Sequence, residues 1–352
     1  MAAFLDIKSR PGGEGSVLPA EVVDELRRFV FAGGKRVRPL LCLLGWFAVA
    51  GPEASAGLAS GGRTADVPAP VVGVAASLEL FHAFALIHDD VMDDSSHRRG
   101  LPTVHHALAV RHAEGRSTAQ ARHVGAAAAV LVGDLALSWS DELIHAAGLT
   151  PGRLAAVLPL VDVMRTEVMA GQYLDIAASG HLSADVERAL QVARYKTAKY
   201  TCERPLHIGA TLAGAGPGLL EACTAFAVPL GEAFQLRDDV LGVFGDSALT
   251  GKSTLEDLRD GKNTVLLALA LRRADTAQLH DLQTLVATPA LDGEGAGRVR
   301  EILVATGALA ETENMIRDRL EQARHALAVS CFPPYVTAAL QVFTDSQRAR
   351  TS

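Results

Sequence analysis

A chain of 352 residues with 33 basic and 40 acidic side chains carries a net charge of −7, so it lacks the broad basic surface of a nucleic-acid binder and must hold any anion through local clusters. Aromatic residues make up only 5%, Ala and Leu dominate, and no recurring Val/Ile/Thr blocks bounded by hairpin turns occur, which argues against strand-rich designs and for one large all-α unit. Cys42, Cys202, Cys223 and Cys331 are far apart and form no C-x-x-C pair, so neither a zinc nor a redox motif is signalled and a reduced cytoplasmic compartment fits.

The N-terminus, Met1 to Lys8, lacks a basic-then-apolar signal pattern. A basic segment follows, Gly33-Gly34-Lys35-Arg36-Val37-Arg38-Pro39. Residues 51–70, rich in Gly, Ala, Ser and Pro, read as a loop between helices. The apolar run after it ends in Ile87-His88-Asp89-Asp90-Val91-Met92-Asp93-Asp94. On an ideal helix Asp89 and Asp93 lie about one turn apart on one face, above Ala85, His82 and Leu78. Like charges at that spacing repel, and hard oxygen donors of this kind suit Mg²⁺ together with a substrate's phosphate oxygens. Arg98 and Arg99 come directly afterwards.

Further breaks are expected near Glu114–Ser117, Gly148–Gly152, Ser179–Ser183, Gly214–Gly218, Gly245–Lys252 and Asp292–Gly297, which leave segments of helical length and a bundle of roughly ten or more helices. The most apolar stretches are interrupted by Glu79, His82 and Asp134, so no transmembrane segment is expected. A second acidic cluster, Gln235-Leu236-Arg237-Asp238-Asp239, closes another apolar run, with Lys252 and Lys262 after it. One acidic cluster is commonplace; two, each followed by cations, suggest a polyanion clamped partly through Mg²⁺ and partly by Arg and Lys, a description that fits diphosphate. Gly251-Lys252-Ser253-Thr254 has the tail of a phosphate-binding P-loop but the wrong spacing to Gly245 and no preceding strand. His88, His97, His105 and His106 show no metal-ligand spacing with one another and read as capping or hydrogen-bonding residues.

Taken in order, Gly33-Gly34-Lys35-Arg36-x-Arg38-Pro39, Asp89-Asp90-x-x-Asp93 with Arg98-Arg99-Gly100, Gly133-Asp134, Gly171-Gln172-x-x-Asp175, Lys196-Thr197, Gln235-x-x-Asp238-Asp239 and Lys252 through Gly261-Lys262 resemble the trans-isoprenyl diphosphate synthases, the polyprenyl synthetase family. The resemblance implies an all-α, single-domain helical bundle of the isoprenoid synthase type around a central apolar cavity, spanning 1–352, with the motifs at about 30–270 and further helices over 271–352. It implies a homodimer that uses Mg²⁺ to condense isopentenyl diphosphate with an allylic diphosphate. Lys35, Arg38, His82 and Arg99 would hold isopentenyl diphosphate, while Arg98, Lys196, Gln235, Lys252 and Lys262 would hold the allylic diphosphate. Asp89, Asp93 and Asp238 would bind the metal, and Thr197 and Gln235 would turn oxygens toward the developing cation.

Gly242 stands where this family often has a third Asp, and the change reads as tolerated. A class I terpene cyclase would carry an Asn/Asp-x-x-Ser/Thr-x-x-x-Glu second motif and no Gly-Gly-Lys-Arg segment, and a non-catalytic partner subunit would have lost acidic or basic clusters; neither description fits. Product length would be set below Asp89. Ala85 is too small to stop a growing tail, Phe81 lies about two turns down, and the resemblance marks Phe84 as a floor position, which together imply geranylgeranyl diphosphate or, next, farnesyl diphosphate.

Overall fold

The computed structural model describes residues 1–9, 18–51, 67–245 and 254–348, and nearly all of them are helical. The chain packs as two compact units, Met1–Leu40 with Val67–Thr150, and Leu41–Asp66 with Pro151–Ser352.

The first unit contains helices Ala2–Lys8, Ala20–Phe31, Ala69–Met92, Val104–Arg111 and Thr118–His145. Ala69–Met92 starts cleanly, because Pro70 occupies its first turn, where a missing N–H costs nothing. It buries Leu78, Leu80, Phe81, Ala83 and Phe84 within two turns, so it has no solvent stripe and acts as a central core helix. Its one deeply buried acid below the Asp cluster, Glu79, is matched by the Arg36 guanidinium, which also donates to the Val30 carbonyl. Thr118–His145 begins with a reciprocal capping box between Ser117 and Gln120. By length and composition Ala69–Met92 and Thr118–His145 could each cross a membrane, yet the first has 61% of its most apolar window buried inside the protein.

Between Ala69–Met92 and Val104–Arg111 lies a feature the sequence does not announce, a minimal antiparallel hairpin pairing His97 with Pro102 and Arg98 with Leu101. Its two turn residues, Arg99 and Gly100, both have positive φ, 54° and 74°, as a tight primed turn requires.

The second unit holds most of Val37–Ala50, the long helices Pro151–Ala178, Pro217–Phe244 and Ala308–Ala328, and the shorter Val186–Val192, Arg204–Ala213, Glu256–Arg259, Val265–Arg273, Thr276–Leu285, Gly293–Ala305 and Pro334–Arg348. Between Val186–Val192 and Arg204–Ala213 the helix continues as an eleven-residue π-helical segment, Ala193–Glu203. Helices of this kind mark functional positions more often than chance. A buried polar network anchors its end. Lys199 bridges Glu203 at 2.8 Å and Glu167 at 3.1 Å, Arg204 forks onto Glu167 at 2.7 Å, and Thr224 donates to Glu203 at 2.8 Å. Burial alone would raise the Glu203 pKa, but its bonds to Lys199 and Thr224 and the charge of Arg204 bring it below the usual value.

The break expected at Asp292–Gly297 falls earlier in the structure, at 286–292. Asp292 caps a helix that starts at Gly293, accepting from the Gly295 N–H at 2.8 Å, and this cap outweighs the low helix propensity of Gly295 and Gly297. The breaks near Ser179–Ser183 and Gly214–Gly218 separate helices as expected. The helix after the 51–70 segment begins at Ala69, and most of that segment lies outside the described residues.

Candidate active site

In the first unit the acidic cluster sits at the C-terminal end of Ala69–Met92, where the helix dipole already presents partial negative charge. Carboxylates there are doubly unfavourable without cations. Asp93 is the C-cap residue and its N–H still bonds to the Asp89 carbonyl at 2.9 Å, so the one-turn relation of Asp89 to Asp93 holds. Arg98, brought back by the hairpin, binds buried Asp90 through Nε at 2.7 Å and Nη2 at 2.6 Å and reaches Asp89 at 3.2 Å. Burial would lower the Arg98 pKa, but Asp90, Asp89 and Asp93 raise it above its ordinary value. Asp90 therefore serves to aim Arg98.

A cationic pocket lies in the same unit. The His82 pKa is held well below the usual histidine value by burial first and then by the charges of Arg38, Arg99, Arg98 and Arg36. Arg99 is itself lowered, by burial and by Arg36. Its guanidinium donates to the Gly33 carbonyl at 2.6 Å and lies against Gly34, where a side chain would collide with it. Gly33 and Gly34 have φ of 94° and 115°, so the Gly-Gly step both bends the basic segment and admits Arg99. Four arginines around a neutral imidazole are an arrangement that an anion would stabilise. Of the residues implied for isopentenyl diphosphate, Arg38, His82 and Arg99 come together in this way.

The second unit gathers a different set. Thr197 donates to the Gln235 carbonyl oxygen at 2.5 Å, and the Gln235 amide donates to Asp239 at 2.7 Å, which makes a chain from the π-helical segment to the second acidic cluster. Lys196 pairs with Asp175 at 2.5 Å. Two glycines make this closeness possible: a Cβ on Gly171 would strike the Lys196 backbone, and one on Gly231 would strike Ala198. Helices Pro151–Ala178 and Pro217–Phe244 thus both pack onto the backbone of the segment carrying Lys196 and Thr197. The Asp239 pKa is pushed up to about 7, by burial and then by Asp257, Asp238 and Asp175, against a lowering bond from Gln235. Charge of one sign has accumulated here, and a hard divalent cation is what such oxygens accommodate.

Asp257 is the residue that sequence reading missed. Its carboxylate lies where a Cβ on Gly242 would be, and Lys262 approaches its other oxygen at 3.8 Å. The third acid absent at position 242 is therefore replaced in space by one from the short helix Glu256–Arg259. No local spacing signals this, because Gly242 and Asp257 are fifteen residues apart in the chain. Lys252 lies outside the described residues.

The polyprenyl synthetase profile matches residues 20–303 of this chain. The chain belongs to the polyprenyl synthetase family. It is 31% identical to the geranylfarnesyl diphosphate synthase of Aeropyrum pernix over 313 residues, covering 89% of each chain. It is 29% identical over 275 residues to the geranylgeranyl diphosphate synthase of Saccharolobus solfataricus, covering 77% of this chain and 73% of that protein. Among solved structures, the geranylgeranyl pyrophosphate synthase of Corynebacterium glutamicum, complexed with isoprenyl diphosphate and magnesium, superposes with a TM-score of 0.88 at 38% identity, covering 99% of this chain and 96% of that one. The protein is a chain-elongating prenyltransferase with an all-α fold.

In this polyprenyl synthetase the three residues expected to bear on product length lie on Ala69–Met92. Phe81 is fully buried and Phe84 nearly so, their ring centroids 5.3 Å apart, and Phe84 also meets the His88 ring edge-on at 4.7 Å. Ala85 is half-buried. His88 has the hydrogen-bonding role read from the sequence, its Nε2 standing 3.0 Å from the Val130 carbonyl, and His97 meets Ser96 at 3.0 Å.

Proposed function

We propose that this enzyme uses Mg²⁺ to condense isopentenyl diphosphate with a short allylic diphosphate, giving geranylgeranyl diphosphate or, next, farnesyl diphosphate. One observation carries the reading: the described residues include a set with excess positive charge around His82 and a set with excess negative charge around Asp239. A magnesium diphosphate brings the missing partner to each.

Asp89, Asp93 and Asp238 would hold Mg²⁺, and the donor set fits, being hard carboxylate oxygens. Bound there, the ion would neutralise charge developing on the leaving diphosphate. Lys35, Arg38, His82 and Arg99 would bind isopentenyl diphosphate, with His82 neutral and able to donate one hydrogen bond. Arg98, Lys196, Lys252 and Lys262 would hold the allylic diphosphate, oriented by Asp90, Asp175 and Asp257 where those contacts exist. The allylic C–O bond breaks and its electron pair leaves with diphosphate. The isopentenyl double bond attacks the allylic cation, and the proton lost from the adjacent carbon passes to the released diphosphate. Thr197 and Gln235 turn oxygens toward that cation, and an apolar cavity keeps water from quenching it.

Residues 1–352 would act as one polyprenyl synthetase domain, in the cytoplasm and as a homodimer. Exposed Val130 and Leu131 on Thr118–His145 support the dimer by offering an apolar face. The buried Ser77, Glu79 and Asp90 support a core role for Ala69–Met92 over a membrane span.

The test is incubation with Mg²⁺, isopentenyl diphosphate and each short allylic diphosphate, followed by dephosphorylation and identification of the alcohols. Geranylgeraniol is the expected main product. A cyclic hydrocarbon, or no elongation of any primer, would defeat the reading.

A further inference from the structure

Beyond the residues used above, the first unit brings together a second group of metal-ligating side chains. Asp94, His105 and His106 each offer one ligand atom, and the three atoms lie within 4.8 Å of one another. His105 and His106 sit in the first turn of Val104–Arg111, their rings 4.4 Å apart. Asp94, in the left-handed region at φ 48°, follows the catalytic acidic cluster but points to this group. Its carboxylate is 3.5 Å from His105 Nε2, a separation suited to two ligands sharing one ion at about 2.1 Å from each.

The independent observation is the state of His105. Its side chain is only 7% exposed, Nδ1 has no hydrogen-bond partner, and Nε2 has no well-formed one, only the 3.5 Å approach of Asp94. Buried polar atoms without partners are rare, because each forgoes the hydrogen bonds that water supplied. A histidine buried with Nε2 aimed at a carboxylate and a second imidazole is complete when an ion joins them.

We propose that Asp94, His105 and His106 form a site for a first-row transition-metal ion of the zinc class. Two imidazoles and a single carboxylate favour such an ion over Mg²⁺, which prefers an all-oxygen shell. The largely exposed Asp94 leaves room for water in the remaining positions.

The site would close a loop of direct consequence for the enzyme. Asp94 precedes and His105 follows the hairpin that carries Arg98 and Arg99, and the loop is already pinned at its neck by Thr103, whose hydroxyl donates to the Ser95 carbonyl at 2.7 Å. An ion at this point would fasten both ends of the segment that delivers the diphosphate-binding arginines, and would stabilise the folded protein in proportion to its binding.

Tag-free full-length protein, held in excess Mg²⁺ to occupy all-oxygen sites, would be titrated with Zn²⁺ by calorimetry and then examined by zinc X-ray absorption. The expected result is one tightly bound equivalent with the outer-shell scattering of imidazole. In Asp94→Asn and His106→Gln, both at positions less buried than His105, affinity should fall at least tenfold and the imidazole scattering should weaken. Absence of Zn²⁺ uptake in excess Mg²⁺ overturns the proposal. So does uptake whose affinity and scattering are unchanged in both variants, since the ion would then be elsewhere, for instance on exposed Cys331.

Discussion

The two acidic clusters look alike on paper and differ in how their charge is balanced. At Asp89–Asp94 the chain supplies its own cation: Arg98 returns on a hairpin and binds Asp90 and Asp89. The surroundings are cationic enough to hold His82 well below the ordinary histidine pKa. At Asp238–Asp239 the nearest additional groups include further acids, Asp175 and Asp257, and Asp239 is pushed up to about 7. Two similar motifs thus have different neighbours: the first stands beside arginines whose excess positive charge an anion would balance, the second beside further acids whose charge a cation would balance. A repeated motif identifies the type of ligand; its neighbours decide which part of that ligand it serves.

The strongest test of this difference removes one acid from each cluster. Asp89→Ala and Asp238→Ala should each lower turnover at saturating substrate by about three orders of magnitude or more, with circular dichroism unchanged. Near-normal turnover in either would mean that its cluster holds no essential metal.

Next in size is Gly242→Asp. A side chain there must displace the Asp257 carboxylate, so we expect a loss of stability of about 1–3 kcal/mol and a loss of turnover. Chemical denaturation and steady-state kinetics would check both; a gain in activity would show that Asp257 does not replace the missing acid. On the other cluster's helix, Phe81→Ala or Phe84→Ala should lengthen the product by isoprene units and Ala85→Phe should shorten it, read by chromatography of the alcohols. An unchanged product from all three would place the floor away from this helix.

The smallest effect is on stability against pH in metal-free protein, and here the two clusters should oppose each other. His82 has a depressed folded pKa, so as pH falls through 6.5 the unfolded chain takes up the proton first and stability is lost. Asp239 has a raised folded pKa, so as pH climbs from 3.8 toward about 7 the unfolded chain ionises first and stability is again lost. His82→Gln should therefore flatten the acid side of the profile and Asp239→Asn the side rising to pH 7. Denaturation midpoints at several pH values would show it, and parallel shifts in both variants would remove the distinction.

The all-helical class and both acidic clusters were legible in the sequence because they rest on short-range patterns: apolar periodicity, i to i+4 spacing and unbroken motifs. The basic segment before Arg38 was legible for the same reason. What escaped depends on contacts between distant residues. Asp257 occupies the space beside Gly242 from fifteen residues further along the chain, and Asp94 meets His105 only because the hairpin closes. The break expected at Asp292–Gly297 was placed too late in the chain for another reason, since glycine content was weighed above a capping aspartate. The second motif, lacking its third acid, read as merely tolerant of the loss, when the structure supplies an acid from elsewhere.

The π-helical segment Ala193–Glu203 has a consequence for inheritance. A turn closed from i to i+5 contains more residues than an α-turn, so this stretch holds sequence that an ordinary helix would not need. Loss of one residue would let it relax to an α-helix, at little cost to the backbone bonds themselves. The flanking helices could then keep their phase, but within the segment residues on one side of the loss would each move by one position, about 100° around the axis, relative to the walls they face. Lys196, Thr197 and Ala198, which now meet Asp175, Gln235 and Gly231 respectively, would no longer all keep their partners. The length of this segment is therefore tied to function as closely as the identity of Lys196 and Thr197 within it.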